Sequence, residues 1–116
     1  GWRCIYVPTA IVYHHLSATG GGVTSSYYNG RNVIWILARD VPGPILRRHA
    51  LAILGAQART AWNALRAWRG EAARARLRGQ LAGILSLPRV LRQRRTIQAT
   101  RRVAVTALEA LLEKPK

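Results

Sequence analysis

Leu51, Leu54, Ala58, Ala61, Leu65 and Trp68 recur at spacings of three and four, between Pro42-Gly43-Pro44 and Gly70. That period marks one face of an α-helix, because residues three or four apart stack along a 3.6-residue turn. The spacing predicts a helix opening near Pro44, a residue suited to a first helical turn, and ending at Gly70 with an apolar seam along one side. Arg47, Arg48, Arg59, Arg66 and Arg69 fall mostly off that seam.

Other helices follow from the same reasoning. Ser25 or Ser26 is placed to cap a helix from Tyr27 to Arg39, which Asp40-Val41-Pro42-Gly43-Pro44 ends. A helix from about Glu71 to Ser86 carries Leu77, Leu81, Ile84 and Leu85 on one side and Arg74, Arg76 and Arg78 on the others. Pro88 interrupts, Arg89 to Arg102 forms a basic helix, and Thr106 to Glu109 has the capping-box spacing that opens a last helix through Leu112. Ahead of these lie two runs rich in β-branched and aromatic residues, Arg3 to Val7 and Ala10 to Tyr13, parted by Pro8-Thr9. Both are expected to be strands. A loop from Ser17 to Ser26 follows, containing Gly20, Gly21 and Gly22. Two strands make no stable sheet by themselves. The expected fold is therefore an α/β fragment, whose strand pair joins strands lying outside the chain.

Charge sharpens the picture. The 116 residues carry a formal net charge of +15, and positions 46–102 hold fourteen arginines against Glu71 alone. Such a field favours a polyanionic partner. No window approaches the roughly 20 apolar residues of a spanning helix. Cys4 lies in an apolar run and is expected to be a small buried residue, without partners for a disulfide or metal framework. The chain starts at Gly1 and contains no methionine, so further sequence is expected upstream.

The order of short motifs carries a resemblance. A run ending in Val7-Pro8, a second extended run, a His-x-x-Ser element at His14 to Ser17, and Tyr27-Tyr28-Asn29-Gly30-Arg31-Asn32 follow one another. Together they resemble the end of the catalytic domain in family 2 glycosyltransferases of the rhamnosyltransferase type. The basic run from Pro88 to Arg95 resembles the tail of the same enzymes. The likeness covers almost the whole chain, most specifically up to Asn32. It implies that residues 1–43 end a catalytic domain of the GT-A kind and that 44–116 form a basic helical extension.

The resemblance also implies a nucleotide-sugar donor, a lipid-linked or polysaccharide acceptor, a divalent metal (Mg or Mn), and a place at the inner face of the cell membrane, against its anionic surface. The family's Asp-x-Asp metal motif and carboxylate base would precede Gly1; Asp40 is the only aspartate here, so the chain alone is expected to be inactive. His14 would bind the metal or a donor phosphate, the alternative being a strand-end histidine bonded to backbone. Ser17 and Thr19 would meet phosphate beside the triple glycine, which serves equally as a lid or a plain connector. Arg31 and Asn32 would lie on the donor side, with Arg31 forked onto the diphosphate. The alternative for Arg31 is a surface position whose neighbours Tyr27 and Tyr28 do the packing. Trp35, Trp62 and Trp68 fall at apolar helical positions that suit a core or a membrane interface.

A second reading, from another class, is a small arginine-rich helical protein that binds nucleic acid. It explains the charge but leaves the histidine element without a role, and the breaks at Pro42-Gly43-Pro44 and Leu87-Pro88 do not suit a helix-turn-helix.

Overall fold

In the computed structural model, residues 4–13 and 22–112 are described. They form six helices in chain order: α1 (Val23–Arg39), α2 (Gly43–Arg48), α3 (Ala50–Arg66), α4 (Glu71–Leu85), α5 (Leu87–Ala99) and α6 (Val105–Leu112). There is no strand among the described residues, which corrects the α/β expectation. Residues 4–13 are irregular and exposed, with one turn bond from the Ala10 N–H to the Val7 carbonyl (3.1 Å). The physical reason is the missing partner: two short β-prone runs with no neighbouring strand leave their backbone groups to water. Cys4, in this segment, is exposed rather than buried.

The helix ends differ from expectation in instructive ways. Gly22 precedes α1 at φ 72°, a left-handed conformation that favours glycine, so α1 starts at Val23 and neither Ser25 nor Ser26 caps it. The stretch from Pro44 to Gly70 is two helices, broken at His49. Gly70 serves as the N-cap of α4, since α3 has already ended at Arg66. Pro88 sits in the first turn of α5, where its missing N–H costs no helical bond. Glu109 does not box Thr106; its carboxylate pairs with Arg48 at 2.9 Å and ties α6 to α2.

The centre of the fold is α1 laid on α4. Contact there is made by glycines and backbone: a methyl group at Gly79 would collide with the Tyr27 carbonyl, and one at Gly30 would lie 2.5 Å from the Arg76 carbonyl oxygen. Gly83 faces the Arg31 carbonyl and Ile34, each 3.1 Å from where its Cβ would be. Ala75, Gly79 and Gly83, each four residues apart, form a ridge of small residues that lets the two backbones meet. Residue numbers rise together along this contact, so α1 and α4 run in the same sense. Between them, α3 returns antiparallel: Gln80 on α4 donates its Nε2 to the Gln57 carbonyl (3.3 Å) and Oε1 (3.2 Å) on α3. Gln80 Oε1 is itself buried with no partner among the described residues.

α5 closes the far end of α1. Arg94 Nη1 donates to the carbonyls of Ala38 (2.9 Å) and Val41 (2.8 Å), and Gln98 Nε2 to those of Arg39 (3.1 Å) and Asp40 (2.9 Å). Two side chains one turn apart thus satisfy the carbonyls a helix C-terminus leaves open, and the guanidinium also meets the negative end of the helix dipole. Trp35 adds a latch, donating Nε1 to Ser86 Oγ (2.6 Å), which donates onward to the Gly83 carbonyl (2.8 Å).

Candidate functional site

The motif at the head of α1 folds into one cluster. The Arg31 guanidinium carbon lies 4.3 Å from the Trp35 ring centroid and 4.7 Å from that of Tyr28, and Tyr27 meets Tyr28 edge to face at 5.3 Å. Arg31 Nε and Nη2 both donate to Asn32 Oδ1 at 3.1 Å. Arg31 therefore spends two donors of its fork on Asn32 and its faces on aromatic rings, an arrangement that orders the first turns of α1. Tyr27 contributes through its backbone, which receives Gly79. The structure brings Arg31 and Asn32 together as neighbours. His14, Ser17 and Thr19 lie outside the described residues.

Among the described residues, cavities open at both ends of the helix packing. At the end where α1 and α4 begin, a cleft of about 340 Å³ with mixed polar and apolar walls is lined by Ser26, Thr60, Asn63, Ala64, Ala72 and Arg76, among others. Thr60 Oγ1 there donates to the Ala56 carbonyl at 2.9 Å. At the other end a groove of about 310 Å³ is lined by Ile34, Leu37, Leu46, Ile53, Leu54 and Ile84, with Gln57 beside them. Every helix from α1 to α5 contributes to this groove, and its lining surface is apolar.

The apolar seam read from the sequence has its large residues on the outside. Leu51, Leu54, Leu65 and Trp68 are all exposed, and so is Trp62. The face of α3 turned toward α4 carries Ile53, Gln57, Thr60 and Ala64, of which only Ala64 is fully buried. Leu81, Ile84 and Leu85 of α4 are likewise exposed, while Ala75, Gly79, Gln80 and Gly83 are buried. Trp35 is the tryptophan among these three that joins the interior, half-buried at its bond to Ser86. Sequence reasoning missed the four-residue spacing of Ala75, Gly79 and Gly83, which was the available signal that α4 packs by its small side.

Acidic groups are few. Asp40 at the end of α1 accepts from Arg39 Nε (2.9 Å) and Nη2 (3.1 Å), and this hydrogen-bonded, charge-paired contact raises the Arg39 guanidinium further above its already high ordinary pKa. Among the described residues no group of three His, Cys, Asp or Glu is placed to hold a metal ion. No helix among the described residues is long and apolar enough to cross a membrane. Comparison of the chain with protein-family models, curated proteins and solved structures finds no match.

Proposed function

We propose that this chain is the helical C-terminal part of an inverting, family 2-like glycosyltransferase, one that moves a sugar from a nucleotide-sugar donor to a lipid-linked or polysaccharide acceptor. The observation that carries the reading is the Tyr27-to-Asn32 element. Its residues follow the His-x-x-Ser motif in the order the family resemblance requires, and they form a single stacked and hydrogen-bonded cluster. In this reading the cluster is a docking element: it orders the first turns of α1, the helix that lies on α4. His14, Ser17 and Thr19 remain the proposed donor-side residues, with Arg31 and Asn32 supporting them from the helix. The Asp-x-Asp motif and the carboxylate base are proposed to lie upstream, with His14 added to them as a ligand of the Mg or Mn ion or of a donor phosphate. The protein is proposed to work in the cytoplasm, peripherally at the inner face of the cell membrane, where a lipid-borne acceptor is reached.

The experiment is a transfer assay on two chains. The 116-residue chain, given nucleotide sugars with Mg²⁺ or Mn²⁺, is expected to release no nucleoside diphosphate above a no-protein control. A longer chain from the same reading frame, with an upstream Asp-x-Asp and a carboxylate base, is expected to turn donor over and to lose that activity on removal of residues beyond Asp40. Turnover by the short chain alone, or an upstream frame without those carboxylates, would sink the proposal.

A further inference from the structure

The outer face of α3 is apolar and exposed. At about 100° per residue, Leu51, Leu54, Ala58, Trp62 and Leu65 fall within one arc of roughly 100°, facing away from α4. Leu51 is 87 % exposed, Leu54 65 %, Trp62 59 % and Leu65 49 %, and Trp68 follows just past the helix at 55 %. Isolated exposed leucines need no explanation, but a continuous stripe marks an interaction surface. One flank of the stripe carries Arg59 and Arg66, and Arg69 stands at its end, all exposed. The other flank leads through Leu54 into the apolar groove beside Ile53 and Ile84.

We propose that this face docks the protein on an anionic phospholipid surface. Leu51, Leu54, Trp62 and Leu65 enter the boundary between headgroups and acyl chains, and Arg59, Arg66 and Arg69 extend along the surface to lipid phosphates. An amphipathic helix with leucine and tryptophan on one face and arginine beside it has the chemistry of a helix lying in the bilayer plane. Arginine stems cover apolar surface while their heads stay at phosphate level, and indole favours the same interfacial depth. Charge selects this occupant over a second copy of the chain. A symmetric pairing through α3 would set Arg59, Arg66 and Arg69 against their own counterparts, in a chain whose net charge is +15. Nucleic acid would satisfy the arginines but leave Leu51, Leu54 and Leu65 in water, since phosphate contacts make no use of a leucine stripe.

The inference rests on the peripheral membrane location proposed above, and not on sugar transfer. Vesicle binding without transfer by the longer chain would sink only the transferase reading; transfer without vesicle binding would sink only the docking face. The test is co-sedimentation of the 116-residue chain with vesicles of phosphatidylcholine, alone or mixed equally with phosphatidylglycerol, across a salt series. Partition is expected into the mixed vesicles and not the neutral ones. Arg59→Gln and Arg66→Gln should each weaken it about fivefold at low salt, an effect that shrinks as salt screens the surface. Leu51→Ser and Trp62→Ser should each weaken it about tenfold at every salt concentration, because buried apolar area is lost. Leu111→Ser, an equally exposed leucine on α6, should leave binding unchanged, and far-ultraviolet circular dichroism should show every variant folded. Equal binding to neutral vesicles, indifference to Leu51→Ser and Trp62→Ser, or tighter binding to duplex DNA than to vesicles would overturn the proposal. So would a dimer that Leu51→Ser dissolves.

Discussion

Helices α3 and α4 are consecutive, antiparallel and nearly equal in length, at 17 and 15 residues, yet they use their side chains in opposite ways. α4 buries its smallest residues, Ala75, Gly79 and Gly83, because α1 comes so near that backbone meets backbone. α3 turns a small and polar face inward, with Gln57, Thr60 and Ala64, and keeps its leucines and Trp62 outside. The lesson is that amphipathic spacing identifies a stripe without identifying what covers it. In α4 the close approach of another backbone outranks apolar size. In α3 the apolar stripe meets the other described helices only at its edge, where Leu54 borders the groove beside Ile53 and Ile84.

The same substitution in the two helices should break or sharpen this contrast most. Gly79→Ala is expected to destabilise the fold by about 3 kcal/mol, the upper part of the range for overpacking, since its methyl group meets the Tyr27 carbonyl and neither backbone has room to move. Urea unfolding followed by circular dichroism measures it; a loss below about 1 kcal/mol would mean that α1 does not sit so tightly on α4. Next in size is Arg94→Met on α5, which removes two charge-assisted bonds to the α1 carbonyls while keeping the apolar stem. A loss of about 2 kcal/mol is expected from that helix end. The smallest effect has the opposite sign. Gly55 lies on the exposed face of α3 with nothing within 4 Å of an added methyl, so Gly55→Ala should stabilise by about 0.5–1 kcal/mol through helix propensity alone. A destabilising Gly55→Ala would show that α3 is packed on its outer side after all.

Much of the helical layout was legible. Proline placement and apolar spacing located α1, α4 and α5 to within a few residues, because these signals act through local backbone geometry; α6 was placed by a capping box that does not form. The break at His49 was not legible: no proline or glycine marks it, and it follows α2, which buries Ile45. The strand assignment failed for a related reason. Val, Ile and Tyr favour a pleated surface only where another strand supplies the hydrogen bonds, and residues 4–13 have none among the described residues.

For the candidate site, the sequence by itself determined that Tyr27, Tyr28, Arg31, Asn32 and Trp35 lie on one helix and that positive charge gathers beyond position 45. Both depend on local spacing or on simple counting. Only the tertiary structure decided that Arg31 is committed to Asn32 and two rings, that Arg94 and Gln98 reach back 53 to 59 positions to close α1, and that the leucines of α3 face outward. Those outcomes depend on which helix faces meet. Here the closest of those meetings is where three glycines let the backbones of α1 and α4 touch, and the outer face of α3 was left exposed.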